Sequence, residues 1–126
     1  MKIETEKLEN ISIVKLYGEL DASNAVKVDQ TLSLLISEKP SQIWIDGTQI
    51  NYISSAGLGV FLSHLQTLAE EKIELLFFGL NTKIKHVFAI LGLDTLIPIV
   101  HSREEAETYI AIQPNADLQE EPRKEA

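Results

Sequence analysis

From Met1 to Leu20 the apolar positions Ile3, Ile11, Ile13, Val14, Leu16 and Tyr17 dominate, interrupted by the polar pair Glu9-Asn10. Asn in a short polar gap between two β-type runs signals a hairpin. Two strands are expected, at roughly residues 2–8 and 11–17. Gly18 breaks the second run. Beyond it Ala25, Val28, Leu32, Leu35 and Ile36 recur at helical spacing, with Lys27, Asp29 and Gln30 on the opposite side. Asp21 or Ser23 can accept hydrogen bonds from the free amides of that helix's first turn. Pro40 closes it, because the residue before a proline is pushed out of the α region.

Ile43-Trp44-Ile45 is apolar on both faces, as in a central strand covered on two sides. Asp46-Gly47-Thr48-Gln49 reads as a polar turn, and Ile50-Asn51-Tyr52-Ile53 as a second short patch. From Ala56 the period is helical, with Leu58, Phe61, Leu62, Leu65 and Leu68 on one face. Ile73–Phe78 reads as a strand. Asn81-Thr82 can cap a third helix with Ile84, Val87, Phe88 and Leu91 inward and Gly92 as its stop. Pro98 marks Ile97–Val100 as a short edge strand. Ser102 and Glu105 have the spacing of a capping box for a last helix through about Ile110. Alternation of strands and helices after one hairpin predicts an α/β fold: a mixed β-sheet with helices packed mainly on one face. Residues 1–112 are expected to form one domain, and 113–126, with two prolines and Leu118 as the one large apolar residue, a disordered acidic tail.

Composition removes whole classes of function. The chain has 126 residues and no cysteine, so disulfides, thiolate metal sites and cysteine nucleophiles are absent. A formal net charge of −8 argues against binding a phosphate backbone, and no nucleic-acid partner is expected. No apolar run approaches the ~18 residues of a membrane span, and the N-terminus has no signal-peptide core. A cytoplasmic protein without direct membrane insertion is expected, with no metal or cofactor.

The informative stretch is Tyr52-Ile53-Ser54-Ser55-Ala56-Gly57-Leu58-Gly59-Val60. Two hydroxyls stand where a loop becomes a helix. The first-turn amides there lack internal partners and the helix dipole is positive, so a phosphate carried by a serine is tolerated. Gly57 and Gly59 each cost up to ~1 kcal/mol against Ala in a helix. Something approaches closely there, either a neighbouring element or a partner. With Gly18-Glu19-Leu20-Asp21 and Ile43-Trp44-Ile45-Asp46, in this order and spacing, this stretch resembles the STAS domain over roughly residues 2–110. That domain is shared by sulfate transporters and anti-sigma factor antagonists. Within it, the chain is most similar to the free-standing bacterial anti-anti-sigma factors.

The resemblance implies a partner switch. Such a protein, unphosphorylated, binds an anti-sigma factor that is also a serine kinase. The kinase phosphorylates a serine at the loop–helix junction, the complex falls apart, and a PPM-type serine phosphatase restores it. Aligning the junction puts the phosphoacceptor at Ser55. The family's common pattern has an aspartate just before the acceptor, whereas this chain has Ser54, so Ser54 stands as the alternative acceptor. The expected partner surface is Asp21, Ala22 and Ser23, the Thr48–Ile53 loop with Asn51 and Ile53, and Ser54, Ala56, Gly57 and Gly59. Asp46 and Asp21 are further candidates for a carboxylate role.

Other chemistries fit less well. A receiver-type role for Asp46 needs an acidic pair after the first strand, and Glu19 and Asp21 follow the wrong strand. A nucleophile elbow at Ser55 needs a small residue at the position of Ile53. His64, His86 and His101 fall in separate segments and read as surface or rim residues, so no enzymatic activity is expected. Lys83, Lys85 and His86 make a basic spot, either a solvated helix face or a contact to an acidic partner or to a nucleotide it holds. Trp44 reads as core. The runner-up function is a non-phosphorylated STAS accessory subunit of a membrane lipid or anion transporter. A third reading is a scaffold whose serines act only as caps.

Overall fold

The structure is a computed structural model that describes residues 1–112, with side chains through Tyr109. The expected disordered tail, 113–126, lies outside the described residues. β1 (Lys2–Leu8) and β2 (Ile11–Leu20) form the hairpin, with Leu8 opposite Ile11. The left-handed residue of its turn is Glu9, at φ 55°, rather than Asn10. Then follow α1 (Ala25–Ser37), β3 (Gln42–Ile53), α2 (Ser55–Glu70), β4 (Glu74–Phe78), α3 (Thr82–Ile90), a 3-10 turn (Leu93–Thr95), β5 (Ile99–Val100) and α4 (Arg103–Ile112). The five strands lie in sequence order in one sheet, antiparallel between β1 and β2 and parallel elsewhere. The mixed α/β sheet is as expected.

Three helices share one face. Val14, Leu16, Ile43, Ile45, Leu75 and Phe77 meet Val28, Leu32, Phe61, Leu68, Ile84 and Phe88 there. Phe77 of β4 stacks edge-on against Phe61 of α2 and Phe88 of α3, with ring centroids 4.8 and 5.3 Å apart. Edge-to-face pairs add about 0.5–1.5 kcal/mol each beyond burial, so this aromatic row fixes α2 and α3 on the sheet. The other face is smaller: Ile13, Trp44, Leu76 and Phe78 are covered by Ala106 of α4. Trp44 is buried as expected, edge-on to Phe78, and donates from Nε1 to Gln42 Oε1 at 2.9 Å.

Four expectations are corrected. Asp46-Gly47-Thr48-Gln49 is not a turn; it continues β3. Leu80 packs so closely over Gly47 that a Cβ there would lie 2.5 Å from Leu80 Cδ2, and the register with β2 shifts between Lys15 and Tyr17. The polar residues therefore mark a strand passing under a neighbour. Second, neither Asp21 nor Ser23 caps α1. The N-cap is Asn24, whose Oδ1 accepts from Asp21 N and whose Nδ2 donates to Glu19 O, bracing the loop instead of the helix. Third, Val87 and Leu91 of α3 are exposed, as is Leu62 of α2. Beyond β4 the sheet offers only the two residues of β5, so Ile84 and Phe88 suffice to fill it. Fourth, Gly18 does not end the second strand: β2 passes through it, in the left-handed region at φ 96°, to Leu20. His64, read as a surface or rim residue, sits at the rim, its ring 14% exposed and paired with Asp29 of α1 at 2.7 Å. The later stops hold as read. Asn81 caps α3 by accepting from Ile84 N, and Gly92 ends it in the left-handed region at φ 74°. At α4, Glu105 N donates to Ser102 Oγ while Glu105 Oε1 accepts from His101 N.

Candidate functional site: the junction of β3 and α2

β3 outruns β4. Its pairing with β4 ends at Asp46 opposite Phe78, but its pairing with β2 continues to Ile53 opposite Leu20. Gly79, at φ 78°, turns the chain away beyond β4, and Thr48 packs against it. The last residues of β2 and β3 thus form a two-stranded ribbon at the carboxyl end of the parallel strands. In open α/β sheets this end is where ligands and partners are met. The ribbon carries the loop into α1 on one strand and the start of α2 on the other.

Ser54 closes the ribbon. Its N–H donates to Leu20 O at 2.9 Å, its Oγ accepts from Gly57 N at 3.2 Å, and its carbonyl accepts from Leu58 N at 2.9 Å. With φ −86° and ψ 171° it is a standard N-cap. Ser54 therefore does the capping work an aspartate would do at this position, without the charge. Ser55 is the first helical residue and is exposed. The cap is made by Ser54 and not by the Ser55 hydroxyl, and the helix itself gives the Ser55 and Ala56 amides no acceptor.

The two glycines separate. A Cβ on Gly57 would lie 2.7 Å from Leu20 Cγ, 3.0 Å from Leu20 O and 3.2 Å from Ile53 Cγ2. Gly57 is buried against its own fold, and this close approach lets α2 start directly on the ribbon. A Cβ on Gly59 would meet nothing within 4 Å. The fold makes no demand for glycine there. Exposed Ser55, Ala56 and Gly59 leave a low surface, and α2 carries no charged residue before Glu70 apart from the titratable His64.

The structure brings Asp21, Ala22 and Ser23 to the same end through the Leu20–Ser54 hydrogen bond. Ala22 and Ser23 are exposed. Asp21 Oδ1 accepts from both the hydroxyl and the N–H of Ser23, and these bonds hold its carboxyl below the usual carboxylate range. Asn51 is exposed and Ile53 half-buried on the ribbon. Thr48 is not brought in. It lies six residues before Ser54 along an extended strand, about 20 Å away at ~3.3 Å per residue, bonded to Asp46 Oδ1. Asp46 sits with it, on the sheet face that carries Lys15. Tyr52, inside the expected 48–53 stretch but not singled out there, is 51% exposed beside the junction; what the sequence reading missed is the role of Leu20 as its anchor. A large aromatic next to the serines was the available signal for Tyr52; nothing local signals Leu20.

The family model for the STAS domain matches residues 2–106. The chain belongs to the STAS domain family. The anti-sigma-B factor antagonist of Listeria monocytogenes is 33% identical over 99 residues, which cover 79% of this chain and 86% of that one. Among solved structures, a candidate anti-sigma factor antagonist from Thermotoga maritima superposes with a TM-score of 0.81 at 18% identity, covering 86% of this chain and 94% of its own. The antagonist SpoIIAA in its unphosphorylated form gives 0.75 at 19% identity, covering 87% and 96%. The phosphorylated form of SpoIIAA, from Bacillus, gives 0.68, covering 86% and 99%. These likenesses place the STAS fold, and the Listeria relative extends the likeness to sequence. Among the described residues no helix is long and apolar enough to cross a membrane.

Proposed function

We propose that this STAS domain, residues 1–112, is an anti-sigma factor antagonist working by partner switching in the cytoplasm. With Ser55 free it binds an anti-sigma factor that is a serine kinase, which frees the sigma factor. Phosphorylation of Ser55 releases it, and a PPM-type phosphatase resets it. The protein itself catalyses nothing; relatives such as the Listeria and Staphylococcus aureus proteins are named anti-sigma-B factor antagonists, regulators rather than enzymes.

The carrying observation is the division of labour between two adjacent serines. Ser54 spends its hydroxyl oxygen on the cap, while Ser55 is exposed at the first helical position. A phosphate on Ser55 adds about −1.5 to −2 charges and three acceptor oxygens. The free first-turn amides accept that charge locally, so the fold survives the modification. A partner seated on the uncharged start of α2 would instead face an unmatched dianion. A penalty of ~3 kcal/mol weakens binding about a hundredfold, enough to exchange partners. Asp21, Ala22, Ser23, Asn51, Ile53, Ala56 and Gly59 make the contact surface, with Ser54 and Gly57 shaping it from beneath.

The test is phosphopeptide mass spectrometry on protein from its native cells, wild type beside Ser55→Ala and Ser54→Ala. The expected result is one phosphate on Ser55, absent only from Ser55→Ala. A phosphate on Ser54 would move the site and overturn the cap argument. Its absence under both growth and stress would overturn the switch.

A further inference from the structure

The outer face of α3 is apolar where the fold leaves it uncovered. Val87, Ile90 and Leu91 are 38%, 69% and 56% exposed, and Leu96, just past the 3-10 turn, is 61% exposed. The first three follow Lys83 at i+4, i+7 and i+8, one stripe of the helix, while Ile84 and Phe88 fill the inner side. The helix thus has two apolar faces and one sheet to bury them.

Its charges are also arranged the wrong way round. Lys83, Lys85 and His86 stand near the N-terminal end, where the helix dipole is already positive, and α3 contains no acidic residue. Among the described residues none of the three has an ion-pair partner. Asp94 lies at the opposite end, exposed and likewise unpaired. In a chain of net charge −8, this helix is a local cationic exception at one end and an anionic site at the other.

A second copy of the same surface, turned about a two-fold axis, answers both features. Antiparallel packing of α3 on α3, centred between Val87 and Ile90, sets Val87 against the partner's Ile90. It brings Leu91 beside the partner's His86 and directs Lys83 towards the partner's Asp94. The basic ends then meet the negative ends of the facing helix, and the aliphatic side chains are buried between them. A two-fold interface needs only one self-complementary patch, which is why it is the commonest oligomer symmetry. We propose that α3 and its following turn form a homodimer interface of this chain. It is separate from the α2 junction and does not depend on the partner-switch reading, because α3 contributes no residue to that surface. One nine-residue helix and a turn give an interface at the small end of the range, so a weak, concentration-dependent dimer is expected.

Sedimentation equilibrium on the full chain between about 1 and 200 µM, at low and at high salt, tests this. The wild type should move from monomer to dimer across that range and weaken as salt rises. Ile90→Glu, at an exposed position that leaves the core intact, should abolish the dimer. Asp94→Lys alone should weaken it at least tenfold, and Asp94→Lys combined with Lys83→Glu should restore it. A chain that stays monomeric throughout overturns the proposal and leaves the face to a different protein. A dimer indifferent to Ile90→Glu, or a double charge reversal that fails to rescue, overturns it equally.

Discussion

Gly57→Ala and Gly59→Ala make the sharpest test of how the junction is built, because the same chemical change should act in opposite directions two residues apart. In a helix interior, Ala is favoured over Gly by about 0.5–1 kcal/mol. At Gly59 the new Cβ meets nothing within 4 Å, so that gain should appear nearly whole. At Gly57 it is opposed by contacts at 2.7 Å to Leu20 Cγ and 3.0 Å to Leu20 O. Leu20 is 0% exposed, so its side chain has nowhere to swing, and its carbonyl is the acceptor that holds Ser54. Overpacking of this kind costs about 1–3 kcal/mol. Subtracting the propensity gain leaves a net loss centred on about 1 kcal/mol, and a gap of about 2 kcal/mol between the two variants. Urea unfolding followed by far-UV circular dichroism, with matched m values, measures that gap directly. Two variants shifted equally and in the same direction would refute the claim that only Gly57 is required by the fold.

Ser54→Ala should lose about 1 kcal/mol with the cap, whereas Ser55→Ala should stay within about 0.5 kcal/mol and Ser54→Asp should retain the wild-type stability, all by chemical denaturation. Ser12 is 1% exposed and its Oγ has no hydrogen-bond partner. Ser12→Ala should therefore raise stability by about 0.5–1 kcal/mol, read as a higher urea midpoint. Arg103 of α4 binds Glu6 of β1 through two hydrogen bonds, at 2.7 and 3.2 Å, which lower the Glu6 pKa below its ordinary 4.5. A carboxyl with a depressed folded value stabilises the fold above its unfolded pKa and loses that contribution as the pH falls through the folded value. With both groups about half exposed, Arg103→Gln should cost about 0.2–1 kcal/mol at pH 7, and the difference from wild type should close in acid melts.

Period and punctuation alone determined much of this molecule. The hairpin, the three large helices, the capped start of α3, the left-handed stop at Gly92 and the capping box at Ser102 are local events, governed by residues within one turn of each other. The junction was legible for the same reason, since an N-cap is set by its own next three residues. What failed was whatever depended on a distant neighbour. Asp46-Gly47-Thr48 has turn chemistry, yet pairing with the distant β2 keeps it in the strand, with Leu80 lying across Gly47. Val87 and Leu91 have core chemistry, and only the shortness of β5 leaves them exposed. Gly57 and Gly59 read identically in sequence; the end of β2 beneath one and open space above the other separate them. Backbone propensity is written along the chain. Which side of an element is covered, and by what, is decided by segments far away in sequence, and that decision assigns Thr48 to the sheet and Ser55 to the surface.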